Sequence, residues 1–129
     1  MKDNSKTAVF LTFSGNCKTA LTFYQECFGG TLRFETFEIN LTSYFRSPII
    51  AGSLFSDRVV IHGSDLVHDE GRKLGNYMAI FLACENVLER KALLKKLVPD
   101  IEQLPVLQDD GQKLIEITDA FDVRWVLST

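Results

Sequence analysis

The chain has 129 residues, 46% of them hydrophobic and 24% charged, with ten phenylalanines. That is room for one domain, and a chain of this size buries enough apolar surface to fold without disulfides or a structural metal. The net charge of −3 and the absence of any Lys/Arg cluster beyond the Lys95–Lys96 pair leave no basic stripe to displace phosphate counterions, so nucleic acid is not an expected partner.

The first apolar run, residues 8–13, is too short for a signal segment or a membrane span, and a cytoplasmic location is expected. Cys17, Cys27 and Cys84 form no CxxC and stand at ligand spacing from no histidine. Cys17 and Cys27 fall at opposite ends of one predicted helix, about 15 Å apart at 1.5 Å per residue, which is beyond bridging distance. An odd count without a framework reads as reduced intracellular thiols.

In chain order, residues 8–13 (AVFLTF) predict a strand covered on both faces. Ser14-Gly15-Asn16 breaks it, with Asn16 as the expected N-cap of a helix over 17–28. Ala20, Leu21, Tyr24, Cys27 and Phe28 recur at helical spacing, and Gly29-Gly30 supplies the stop. Residues 31–39 predict a second strand, and Pro48 marks a loop or sheet edge. Residues 49–55 and 58–62 predict an antiparallel hairpin around Ser56-Asp57. The polar stretch 63–76 reads as a linker or flap.

The second half repeats the plan. Residues 77–84 (YMAIFLAC) predict a strand, and Asn86 with Glu89 has the spacing of a capping arrangement for a helix over 87–98. Residues 101–107, 113–118 and 124–128 predict three more strands, the first two joined by the Asp109-Asp110-Gly111 turn. Both halves run strand, helix, strand, strand, strand. The fold class is therefore α+β, two βαβββ modules over about 8–63 and 77–129, with a linker over about 64–76 in a single domain.

The stretch FLTFSGNCKTALTFYQECFGG, residues 10–30, closely resembles the start of PhnB-like proteins. These are a branch of the vicinal-oxygen-chelate superfamily, the glyoxalase/bleomycin resistance/dioxygenase group. Asp119-Ala120-Phe121-Asp122-Val123-Arg124-Trp125 is similar to that family's closing D-P-F-G-V-x-W. Asp122 stands where the family usually has Gly and Ala120 where it has Pro; the family's Trp-Gly pair is replaced by Gln108-Asp109-Asp110-Gly111. The resemblance spans nearly the whole chain. It implies cupped mixed sheets around one cavity and a homodimer.

In the family's metal-dependent members, His, Gln or Glu side chains from the first and last strand of each module hold a divalent ion. Carried over by motif, those positions fall near Val9, near Ile61, around residues 77–79, and near Val126. None is a metal ligand. His62 becomes one only if the register shifts by a residue, which turns a strand side chain to the opposite face. A lone imidazole does not hold an ion that wants three protein ligands. No metal and no cofactor are expected.

Other residues have a bland and a functional reading. His62, in RVVIHGSD, is either a strand-end histidine or a weak catalytic candidate. His68, beside Asp65, Asp69 and Glu70, reads as a solvated loop residue. Glu116, between Ile115 and Ile117, faces away from both; inside a cavity, burial would raise its pKa and make it a candidate base, and outside it meets water. Cys17 sits in a first helical turn, where the dipole favours a thiolate, yet no base accompanies it. Tyr44, Tyr77 and Trp125 are candidate pocket aromatics or core. No glycine-rich strand-to-helix turn suits an adenosyl cofactor.

The expectation is a metal-free protein binding a small, partly apolar molecule through Ser53, His62, Tyr77, Glu116 and Trp125. The alternatives are a small lyase, isomerase or dioxygenase using His62 or Glu116, and an interaction module whose cavity is filled by its own phenylalanines.

Overall fold

A computed structural model of the chain describes residues 7–36, 49–65, 72–100 and 111–129. The predicted strand over 101–107, Asp109 and Asp110 of the predicted turn, Tyr44, Pro48, His68, Asp69 and Glu70 lie outside them. The chain divides into two compact units, Met1–Lys73 and Leu74–Thr129.

Unit one contains β1 (Val9–Thr12), α1 (Cys17–Phe28), β2 (Thr31–Thr36), β3 (Ile49–Phe55) and β4 (Val60–Ser64), the βαβββ order expected. Its sheet runs β1-β4-β3-β2, with β1 parallel to β4 and the other pairs antiparallel. Unit two contains β5 (Ile80–Ala83), α2 (Val87–Leu97), β6 (Leu114–Thr118) and β7 (Arg124–Ser128), in sheet order β5-β7-β6 with β5 parallel to β7. The class is α+β with two small mixed sheets. Among the described residues, no helix is long and apolar enough to cross a membrane.

Helix α1 buries Ala20, Leu21, Tyr24 and Cys27 of the predicted stripe together with Cys17, while Phe28 at its end is half-buried. It lies on one face of the first sheet, where two glycines make room: a Cβ on Gly52 would come within 2.7 Å of Leu21, and one on Gly63 within 3.2 Å of the Cys17 sulfur. Gly29 and Gly30 stop the helix at φ 75° and 104°, the left-handed region.

The start of α1 differs from expectation. The Asn16 side chain makes no capping bond. Instead the Gly15 and Cys17 N–H groups both donate to Oδ1 of Asp65, each at 2.9 Å. A carboxylate brought in from the end of β4 satisfies helix-end donors that the local residue leaves unmet. In α2 the cap is local: the Glu89 N–H donates to Asn86 Oδ1 at 2.8 Å, and Glu89 Oε2 accepts from the Glu85 N–H at 3.3 Å. The capping arrangement holds, with the carboxylate reaching one residue further out than expected.

The predicted closing motif is a self-capped turn. Asp119 Oδ1 accepts from the N–H groups of Phe121 at 2.8 Å and Val123 at 3.1 Å, while Oδ2 accepts from the Trp125 indole at 2.8 Å. Asp122 sits at φ 64°, a conformation that glycine adopts without strain. That is why a glycine suits this place.

Candidate functional site

Strand pairing fixes which side chains share a face. Val9 pairs with Ile61 and Phe10 with His62 in the parallel ladder; Ser53 pairs with His62, and Arg33 with Ser53, in the antiparallel ones. Ile61, Gly63, Gly52 and Leu54 are buried on the α1 side, so by alternation Val9 shares that side. The opposite, open face carries one transverse row across all four strands: Phe10, His62, Ser53 and Arg33. Ile61 thus belongs to the core, the half-buried Val9 faces the same side, and His62 occupies the open-face position beside them. His62 therefore faces away from α1, on the side opposite to Ile61.

Within this row, Ser53 Oγ and His62 Nδ1 share a hydrogen bond of 2.7 Å. Either the hydroxyl donates to a bare Nδ1, leaving the hydrogen on Nε2, or Nδ1–H donates to the hydroxyl. The Phe55 ring meets the imidazole edge to face, with centroids 5.8 Å apart. Phe10 is 61% exposed, so β1 is not covered on both faces as its apolar run suggested. It is an edge strand with one wet side. Arg33 is exposed and has no ion-pair partner among the described residues.

The remaining candidates lie in unit two. Trp125 is fully buried, with Ile117 and Leu127 on the packed side of its sheet and its indole N–H committed to Asp119. It is core, not pocket lining. Tyr77 is 86% exposed and precedes β5, which begins at Ile80 rather than at residue 77. Val126 lies on the open face between Phe81 and Glu116. Glu116 is exposed and ion-paired with Arg124, whose Nε and NH2 both donate to Oε2 while NH1 donates to Met78 O at 3.0 Å. The Glu116 side chain is thus tied to a guanidinium and open to water, without the burial that would make it a candidate base. So within unit one the structure brings Ser53 and His62 together; Glu116, Tyr77 and Trp125 belong to unit two.

Cys17 is fully buried, out of reach of a substrate. Burial, and secondarily the negative charge of Asp65, push its thiol up to about 12, outweighing any help from the helix dipole. All three cysteines are free thiols and buried. Among the described residues, no three His, Cys, Asp or Glu side chains come together as a metal site would need. Phe10, Phe55 and Arg33 were not singled out by the sequence reading. Alternation within TLRFET places Arg33 on the face of Thr31 and Glu35, but bringing it into line with His62 takes the register of two strand pairs.

No protein-family model and no curated protein matches the sequence. Among solved structures, protein PA1353 from Pseudomonas aeruginosa matches with a TM-score of 0.69 at 20% identity, covering 97% of each chain. A PhnB protein from Bacillus cereus, named as a candidate 3-demethylubiquinone-9 3-methyltransferase, matches with a TM-score of 0.65 at 17% identity, covering 96% of this chain and 98% of that one. The chain therefore has the fold of PA1353 and of the Bacillus cereus PhnB protein.

Proposed function

We propose that the chain is a PhnB-like, vicinal-oxygen-chelate protein that binds a small, partly apolar molecule on the open face of its first sheet without a metal. The observation that carries this reading is the Ser53–His62 pair, set between Phe10 and Phe55 on a face that α1 does not cover. A few fixed polar groups among apolar side chains are what orients a small ligand. The absence of a metal rests on the side chains themselves. Where metal-dependent relatives project ligands, this chain has His62 alone on the first sheet and Val126 on the second. The family resemblance further implies a homodimer, and sedimentation at micromolar concentration would read it directly.

Elemental analysis of the purified protein tests the metal-free part. Substoichiometric zinc, nickel, manganese and iron, with no rise in Tm on adding these ions, is expected. A stoichiometric ion lost in His62→Ala would sink the reading. The enzymatic alternative now rests on His62, since Glu116 is paired. Metal-supplemented assays on the methylglyoxal–glutathione adduct and on catechols separate the two: turnover abolished by His62→Ala establishes catalysis, whereas its absence leaves binding.

A further inference from the structure

The open-face row has a chemical polarity that narrows the ligand class. At the β1 end is the aromatic ring of Phe10, while Phe55, on β3 two residues from Ser53, flanks the imidazole. In the middle are the His62 imidazole, tied through Nδ1, and the Ser53 hydroxyl. On the outer strand is the Arg33 guanidinium, paired in register with Ser53 and without an ion-pair partner among the described residues. Neighbouring strands lie about 4.8 Å apart, so the Arg33 and His62 backbones are separated by roughly 10 Å. The long arginine stem can bridge much of that distance.

The one acidic side chain at the next position on this face of β2 is Glu35, opposite Ala51; no ion pair joins it to Arg33. A planar guanidinium with five donors matches a carboxylate in a two-pronged contact. One cation, with no second basic group in the row, suits a monoanion rather than a phosphate. His62 adds to this. When the Ser53 hydroxyl donates to Nδ1, Nε2–H remains as a further donor for an acceptor-rich head group.

We propose that the ligand is a small arylalkanoic monocarboxylate, its ring on the Phe10 side of His62, its carboxylate held by Arg33 with His62 Nε2–H in support. This rests on the binding reading above and adds the ligand's charge and shape to it. The test compares 3-phenylpropionate with its uncharged isostere 3-phenylpropionamide by calorimetric titration, on wild type and on Arg33→Met and Arg33→Lys. Arg33 is exposed, so both variants are expected to keep the wild-type circular dichroism and Tm.

The acid should bind wild type about tenfold more tightly than the amide, a difference of about 1.4 kcal/mol. The preference should vanish in Arg33→Met, survive in part in Arg33→Lys, and shrink in 0.5 M salt, as an exposed charge pair does. Equal binding of acid and amide to wild type overturns the carboxylate assignment while leaving the binding face intact. An acid preference that persists in Arg33→Met overturns the role of Arg33. Failure of both compounds to bind at millimolar concentration overturns the carboxylate assignment and the binding reading together.

Discussion

Replacing Asp119 with alanine removes three hydrogen bonds at once, and the structure indicates how the cost divides. The carboxylate accepts from the Phe121 and Val123 N–H groups and from the indole of Trp125. The half-buried Phe121 N–H can recover water, but Val123 is 5% exposed and Trp125 fully buried, so two donors stay unsatisfied. An orphaned buried donor costs about 1–3 kcal/mol, and the indole bond to a carboxylate is of the stronger kind. Asp119→Ala should therefore lose about 3–6 kcal/mol, a large part of a typical domain's stability.

Asp119→Asn keeps one acceptor oxygen, which can serve the turn or the indole but not both, and should lose about 1–3 kcal/mol. Trp125→Phe removes the indole donor, so in that background Asp119→Ala should cost about 1.5–3 kcal/mol less than in wild type. Urea unfolding followed by far-ultraviolet circular dichroism measures all four corners of the cycle without relying on the tryptophan's own fluorescence. If the two substitutions add within about 0.5 kcal/mol, the indole bond does not couple these residues and the reasoning is wrong.

Four further outcomes follow from backbone geometry and burial. Gly29 and Gly30 both have positive φ, but a Cβ on Gly30 would lie 2.2 Å from the Phe55 carbonyl oxygen whereas one on Gly29 meets nothing within 4 Å. Gly29→Ala should cost about 1–3 kcal/mol of conformational strain and Gly30→Ala at least about 2 kcal/mol more; equal losses in urea would refute the contact. Asp122→Gly, at φ 64°, should raise stability by about 0.5–1 kcal/mol, while Asp122→Val should lower it by about 1–2 kcal/mol, both read as shifts in the urea midpoint.

The Cys17 thiol has a folded pKa of about 12 against an ordinary 9.0, so its contribution is complete below pH 9 and is lost as pH rises toward 12. In that window wild type should lose up to about 1.4 kcal/mol per pH unit more than Cys17→Ala; superimposable curves would refute the shift. At pH 8 none of the three thiols should react rapidly with a disulfide reagent until urea is added.

What the sequence disclosed was whatever depends on near neighbours. The span of α1 was legible in full because its apolar stripe and its Gly29-Gly30 stop lie within a few residues of each other. Its cap was not, because the competing acceptor, Asp65, sits 48 residues from Cys17. The face of β7 was legible in principle: Arg124, Val126 and Ser128 alternate with Trp125 and Leu127, and the arginine marks the open side. The partner of Glu116 was not, since Arg124 comes beside it through antiparallel register. For β4, Val60 and Ile61 are both apolar and Gly63 has no side chain, so nothing local decides whether Ile61 or His62 faces the core. Packing against α1 decides it, and with it the composition of the candidate site.

The Asp65 contact has a consequence for synthesis. Among the described residues of unit one, the first strand made, β1, is hydrogen-bonded to the last one made, β4, and to no other, and Asp65 follows that strand directly. On a ribosome the helix, its amino-terminal donors and the edge strand would all emerge before their partners exist. Roughly fifty residues of chain must wait, with the Gly15 and Cys17 donors and the β1 edge unpaired, until β4 and one carboxylate arrive to latch the unit shut. A nascent chain arrested before Asp65 should therefore be a chaperone client, and one arrested some way beyond it should resist protease.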